Sequence, residues 1–186
     1  MTLYQAILVP AKTQPVRYAL IALGGIALLT LSAKIQVPMI PVPITLQTAV
    51  VLCLACLLGW RGALAVLGGY FALGFAGLPV FAMAAGAAPG PAYFVGPTGG
   101  YLLGFALAAG AIGYVYEQRR AWHIALLFGL MLAGHAVILS VGAAWLAYGI
   151  PIMGVQEAFV AGVLPFIAGG VVKSAIAAAF VKALAR

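Results

Sequence analysis

Gly96–Phe105 reads GPTGGYLLGF, and its first six residues put three glycines and a proline at the mouth of an apolar run. A helix that starts there leaves backbone N–H groups without intrahelical partners at the positive end of its dipole. That end suits a negative or strongly accepting ligand group, and it suits close packing of a helix start equally well. Thr98 can cap the helix or bond a ligand, and Tyr101 offers a ring face with a hydroxyl. No Gly-Lys-Ser/Thr follows, so the stretch is not a phosphate loop of the Walker type. The apolar run it opens, over 99–116, has counterparts along the whole chain, and these decide the fold.

Hydrophobic residues make up 66% of the chain and charged residues 6%, with a mean hydropathy of +1.21. A soluble domain needs roughly a quarter charged residues to clothe its surface. Lipid must therefore solvate this chain, and in lipid only helices or a closed barrel satisfy every backbone N–H and C=O. The apolar runs are continuous rather than alternating, which selects helices. The expected fold is all-α, a polytopic membrane protein with six transmembrane helices in a single domain over 1–186. The spans fall at 18–36, 45–60, 63–75, 99–116, 122–148 and 157–183. The second and third are short: about 15 residues rise about 23 Å, against a hydrocarbon core roughly 30 Å thick. Residues 1–16, broken by Pro10 and Pro15, read as an interfacial segment. The run after Arg17 reads as a retained span rather than a signal peptide, because a proline-rich stretch begins directly after it.

Pro38, Pro41 and Pro43 make 37–44 an extended, rigid connection. Gly59-Trp60-Arg61-Gly62 reads as a tight turn. The connection 76–98 is long, apolar and interrupted by Pro79, Pro89, Pro91 and Pro97, which suggests a lid or re-entrant segment. With six spans both termini share a side, and Lys12, Arg17, Arg61, Arg119, Arg120, Lys182 and Arg186 fall on it, with Lys34 near the other. By the positive-inside rule that side is cytoplasmic, so 37–44, 76–98 and 149–156 face outward.

Lys173 interrupts an apolar span. An ammonium at membrane depth costs about 2.5–3.5 kcal/mol on the insertion scale and so usually faces a partner or a cavity. The chain has no aspartate and only two acids, Glu117 and Glu157, the second about four turns away on the same span. A ligand carboxylate would supply the partner, and snorkelling to the interface is the alternative. Thr45 and Gln47, at the outer start of the second span, can bond a polar ligand or cap the helix. Cys53 and Cys56 read as small packing residues, and His135 as a helix–helix hydrogen bond or a proton relay. The net charge of +7 comes from scattered cations without a basic stripe, so nucleic acid is not the expected partner. No Ser/His/Asp set, nucleotide loop or metal-ligand cluster stands out in the sequence, so neither an enzyme nor a cofactor is expected.

PVPITLQT (Pro41–Thr48), GLPVFA (Gly77–Ala82), GPTGGYLLGF (Gly96–Phe105) and PFIAGGVVK (Pro165–Lys173) resemble the BioY family, over about residues 17–186. Those are biotin-binding membrane subunits, the S components of energy-coupling factor (ECF) transporters. The resemblance implies a bacterial plasma-membrane protein that holds biotin at its outer side and pairs the carboxylate with Lys173. The implied binding residues are Thr45, Gln47, Gly96, Thr98, Gly99, Tyr101 and Lys173. The implied partners, besides biotin and membrane lipid, are a transmembrane T component and a pair of cytoplasmic ABC ATPases. The chain departs from the family pattern in three places. Gly169-Gly170 stands where the family usually has Gly-Asp, and AAGAAPGP (Ala84–Pro91) is poorer in glycine than the family run. On the first helix, Ala19, Ala22, Gly25 and Ala27 are small, but none lies four residues from another. An S component for another vitamin, or an intramembrane enzyme, remain the alternatives.

Overall fold

The computed structural model describes residues 15–82, 89–119, 121–150 and 153–184. Of the interfacial segment expected over 1–16, only Pro15 and Val16 fall among them, and they open the first helix. The helices are α1 (Pro15–Lys34), α2 (Gln47–Phe75), α3 (Pro91–Val95), α4 (Gly99–Glu117), α5 (Ile124–Ala144), α6 (Val155–Gly162) and α7 (Leu164–Leu184). Among the described residues, 5 segments are long and apolar enough to cross a membrane: α1, α2, α4, α5 with its extension to Gly149, and α6 with α7.

α2 is two helices rather than one. The Gln47 amide donates to the Tyr70 hydroxyl at 2.7 Å although the two lie 23 residues apart in sequence. On an unbroken helix that separation is about 34 Å. The chain therefore folds back on itself, and it does so at Gly59, whose φ of 71° and ψ of 171° belong to a region open to glycine alone. A Cβ at Gly59 would run into the Glu117 carboxylate. That carboxylate accepts the Trp60 N–H at 3.2 Å and so satisfies one of the orphan donors of the second half. The four-residue turn expected over Gly59–Gly62 is thus made by Gly59 alone, since one glycine supplies the whole reversal and Trp60 is already helical. The two halves correspond to the short spans expected over 45–60 and 63–75.

The connection 37–44 is closed by a two-residue antiparallel ladder, β1 (Gln36–Val37) with β2 (Ile44–Thr45), pairing Gln36 with Thr45 and Val37 with Ile44. It is a small departure from an all-helical chain. α5 begins at Ile124 rather than at Trp122, and ends in a wide π turn over Trp145–Gly149. The last span breaks at Val163, just ahead of Pro165, which has no N–H to continue the ladder. α4 is the central helix, with more than half of its residues buried, whereas most of α1 is not. Leu20, Leu23 and Leu31 on α1 are left facing outward, where lipid solvates them.

The bundle has two distinguishable ends. At one, Glu117 meets Trp60, Lys182 donates to the Trp122 carbonyl at 2.6 Å, and Tyr116 stacks on Trp122. At the other, Lys34 donates to the Phe81 carbonyl at 2.7 Å and Lys173 to the Thr45 carbonyl at 2.9 Å.

Candidate functional site

A small cavity opens at the second end. Its floor and walls come from Thr45 of β2, the start of α2 (Gln47, Thr48), the start of α4 (Thr98, Tyr101) and Lys173 of α7. Phe81, Ala82 and Tyr93 of the connection 76–98 also line it, as does Phe166. Two aromatic pairs flank the space: Phe81 stacks on Tyr93 at 4.5 Å, and Tyr101 on Phe166 at 6.0 Å.

Lys173 is only 8% exposed, so snorkelling to a bilayer surface does not describe it. Among the described residues it reaches a carbonyl, that of Thr45, but no carboxylate. Both acids of the chain are engaged elsewhere: Glu117 with the Trp60 N–H, and Glu157 with the Gly154 N–H at the start of α6. The positive charge at the cavity is therefore uncompensated by the chain. Burying such a charge without a counter-ion costs several kcal/mol even after relaxation.

Gln47 does not cap α2, which starts without a side-chain cap bond. Its amide is spent on Tyr70, and Tyr70 in turn donates to the Val80 carbonyl at 3.1 Å. Thr45 approaches the Gln47 side-chain oxygen at 3.4 Å. Thr98 is the N-cap residue of α4, also without a side-chain cap bond, and it lines the cavity beside Tyr93. Burial pushes the Tyr93 phenol above its ordinary pKa, so it stays a donor, and it donates to the Ala82 carbonyl at 3.0 Å. The Tyr101 hydroxyl donates to the Gly162 carbonyl at 2.8 Å, which leaves the ring to face the cavity.

Five of the seven residues singled out from sequence, Thr45, Gln47, Thr98, Tyr101 and Lys173, meet at this cavity. Gly96 and Gly99 do not line it. The Gly96 carbonyl accepts the Trp145 indole N–H at 3.0 Å and the Gly99 N–H turns back to Gly96, so these groups close within the chain. Side chains at Gly99 or Gly100 would collide with the Phe94 carbonyl and the Trp145 side chain. Gly99 and Gly100 thus admit the incoming loop and Trp145.

Sequence reasoning missed Thr48, Phe81, Tyr93 and Phe166 as cavity residues, although all but Tyr93 lie inside quoted motifs. It also left His135 open. His135 is buried and bridges three helices: Nε2 lies 3.0 Å from the Thr48 hydroxyl on α2, and Nδ1 lies 3.1 Å from the Met131 carbonyl and 3.0 Å from the Ser174 hydroxyl on α7. Its ring fills the space beside Gly170, where an added Cβ would stand 3.6 Å from it.

A sequence model of the BioY family matches residues 7–186. The chain is 39% identical over 153 residues to a probable biotin transporter BioY of Pyrococcus horikoshii, covering 82% of this chain and 86% of that one. It is 36% identical over 154 residues to a biotin transporter BioY of Thermotoga maritima, again covering 82% and 86%. A crystal structure of the S-component for biotin from an ECF-type ABC transporter superposes with a TM-score of 0.78 at 27% identity, covering 92% of each chain.

Proposed function

The chain belongs to the BioY family, and on that premise we propose that it binds biotin at the cavity above and serves its uptake as the S component of an ECF-type transporter. It is a multi-pass membrane protein and a transport subunit, not an enzyme. The observation that carries the reading is the uncompensated Lys173 ammonium at an aromatic-walled cavity. Biotin presents an ionised carboxylate for that charge and an apolar fused ring for the stacked aromatics. Pairing with the ligand supplies the counter-ion that the chain withholds. Thr45, Gln47, Thr98 and Tyr101 shape the site, while Gly96 and Gly99 act on it only by fixing the start of α4.

The reversal at Gly59 makes six crossings of the five apolar segments, with both termini on one side. Arg61, Arg119 and Lys182 cluster at the end opposite the cavity, through Trp60 and Trp122. By the positive-inside rule that end is cytoplasmic, so the cavity faces outward, in a bacterial plasma membrane. A transmembrane T component and a pair of ABC ATPases complete the transporter.

Radiolabelled biotin binding to the purified chain, competed by unlabelled biotin, riboflavin and thiamine, tests the reading. Displacement by biotin alone is expected. Displacement by one of the other vitamins instead would reassign the S component, and no saturable binding of any of them would sink the transport reading.

A further inference from the structure

The Met131 carbonyl can only accept, so its contact with His135 is a hydrogen bond only when Nδ1 carries the proton. The Ser174 oxygen, also near Nδ1, shares that same proton as a second acceptor. In the opposite tautomer a bare nitrogen lone pair would face the carbonyl at 3.1 Å, a repulsive contact in a buried site. With Nδ1 protonated, Nε2 of the neutral ring is an acceptor, and the Thr48 hydroxyl must donate to it. Thr48 has one proton, which points inward to the histidine, yet its side chain also lines the cavity. Its remaining lone pairs are therefore what it offers a ligand.

Lys173 works in the opposite sense, since an ammonium has donors and no acceptor. The hydroxyls of Tyr93 and Tyr101, like that of Thr48, give their protons to groups of the chain, and the Gln47 amide N–H goes to Tyr70. Lys173 thus reads an acceptor of the ligand, and the hydroxyls are left to read a donor. From this polarity we infer that Thr48, locked as an acceptor by His135, reads an N–H donor of the ligand, and that His135 is the positioning residue behind it. The inference rests on the biotin reading. Once biotin's carboxyl is ionised, the two N–H groups of its cyclic urea are its only donors, so one of them is the group that Thr48 selects.

The test uses the purified full chain, with biotin and its two ring-N-methyl derivatives as probes. Thr48→Val keeps the shape and removes the acceptor. It should weaken biotin about 3- to 10-fold, the worth of one neutral hydrogen bond. It should also shrink the penalty for methylating one ring nitrogen by about the same factor. Thr48→Ser should keep both. His135→Phe frees the Thr48 proton to turn outward and should narrow the same margin; if that variant does not fold, Thr48→Val decides alone. Biotin affinity within twofold of wild type in Thr48→Val would overturn the inference, as would an equal loss for biotin and both methylated analogues. Failure of the wild type to bind biotin at all would instead strike the reading beneath it.

Discussion

The two ends of the bundle use polar groups in opposite ways. At the end carrying Glu117, each charge closes on the chain: the carboxylate on the Trp60 N–H, Lys182 on the Trp122 carbonyl, and Arg61 over the Trp60 ring at 4.5 Å. These contacts hold the Gly59 reversal and the α4–α5 turn in place. At the cavity end, Lys173 is buried with a carbonyl and no counter-ion. A charge that ends on the chain helps to fold it. A buried charge left open toward a cavity costs stability, and a ligand is what offsets that cost. The comparison predicts that substitutions at the two ends separate binding from stability.

The largest effect is expected from Lys173→Met, which keeps most of the apolar stem and removes the charge. Loss of a charge-assisted hydrogen bond should weaken biotin by about 1.5–3 kcal/mol, roughly 10- to 150-fold. Thermal stability should hold or rise, because an uncompensated buried charge is gone. Biotin methyl ester should bind the wild type more weakly than biotin does, yet be barely discriminated by the variant. Equilibrium binding of the two ligands to both proteins measures this. A variant that still prefers the free acid by the wild-type margin would show that Lys173 does not read the carboxylate.

At the other end, Gly59→Ala should do the reverse. It forces a side chain into a glycine-only conformation and against Glu117, at a cost of order 1–3 kcal/mol. Its unfolding midpoint in detergent should fall, while biotin affinity of the folded fraction stays within about twofold, since no interaction at the cavity is touched. A loss of affinity like that of Lys173→Met would erase the distinction between the two ends.

Much of this architecture was legible in sequence, for reasons of solvent. Lipid forces continuous apolar helices, so the class and the two half-length spans around Gly59 could be read from hydropathy and glycine alone. Lys173 was legible because a lone ammonium in an apolar run has few explanations. The partners were not. Nothing local ties Lys173 to a carbonyl 128 residues away, or His135 to Thr48 across 87. A threonine in an apolar helix reads the same whether it faces a cavity or a neighbouring helix. In GPTGGY, Thr98 and Tyr101 do line the cavity, while its glycines announce only that something comes close, and at Gly100 it is Trp145. Phe81, Tyr93 and Phe166 were hidden because an aromatic ring lining a cavity and one filling a core have the same composition.

The smallest effect sharpens the comparison from within the cavity end, at Lys34. This lysine differs from Lys173 in that it closes on the chain, at the Phe81 carbonyl. It is one of three side chains that hold successive carbonyls of the strap roofing the cavity: Tyr70 takes Val80, Lys34 takes Phe81 and Tyr93 takes Ala82. Each comes from a different helix, so the strap is pinned from three directions. Lys34 is also the exposed member of the three, and water competes for its hydrogen bond. Lys34→Met should therefore leave folding and the free-acid preference intact and act on the escape of ligand. Biotin dissociation should quicken about two- to fivefold with little change in association, because loosening a roof is felt mainly in the off-rate. Lys34→Arg, which keeps a donor on a long stem, should restore most of it. Stopped-flow or filter-binding dissociation of labelled biotin separates the outcomes. If Lys34→Met instead narrows the preference for the free acid over the methyl ester, Lys34 belongs with Lys173 as a reader of ligand charge. The division between charges that close on the chain and charges that await a ligand would then have to be redrawn at this end.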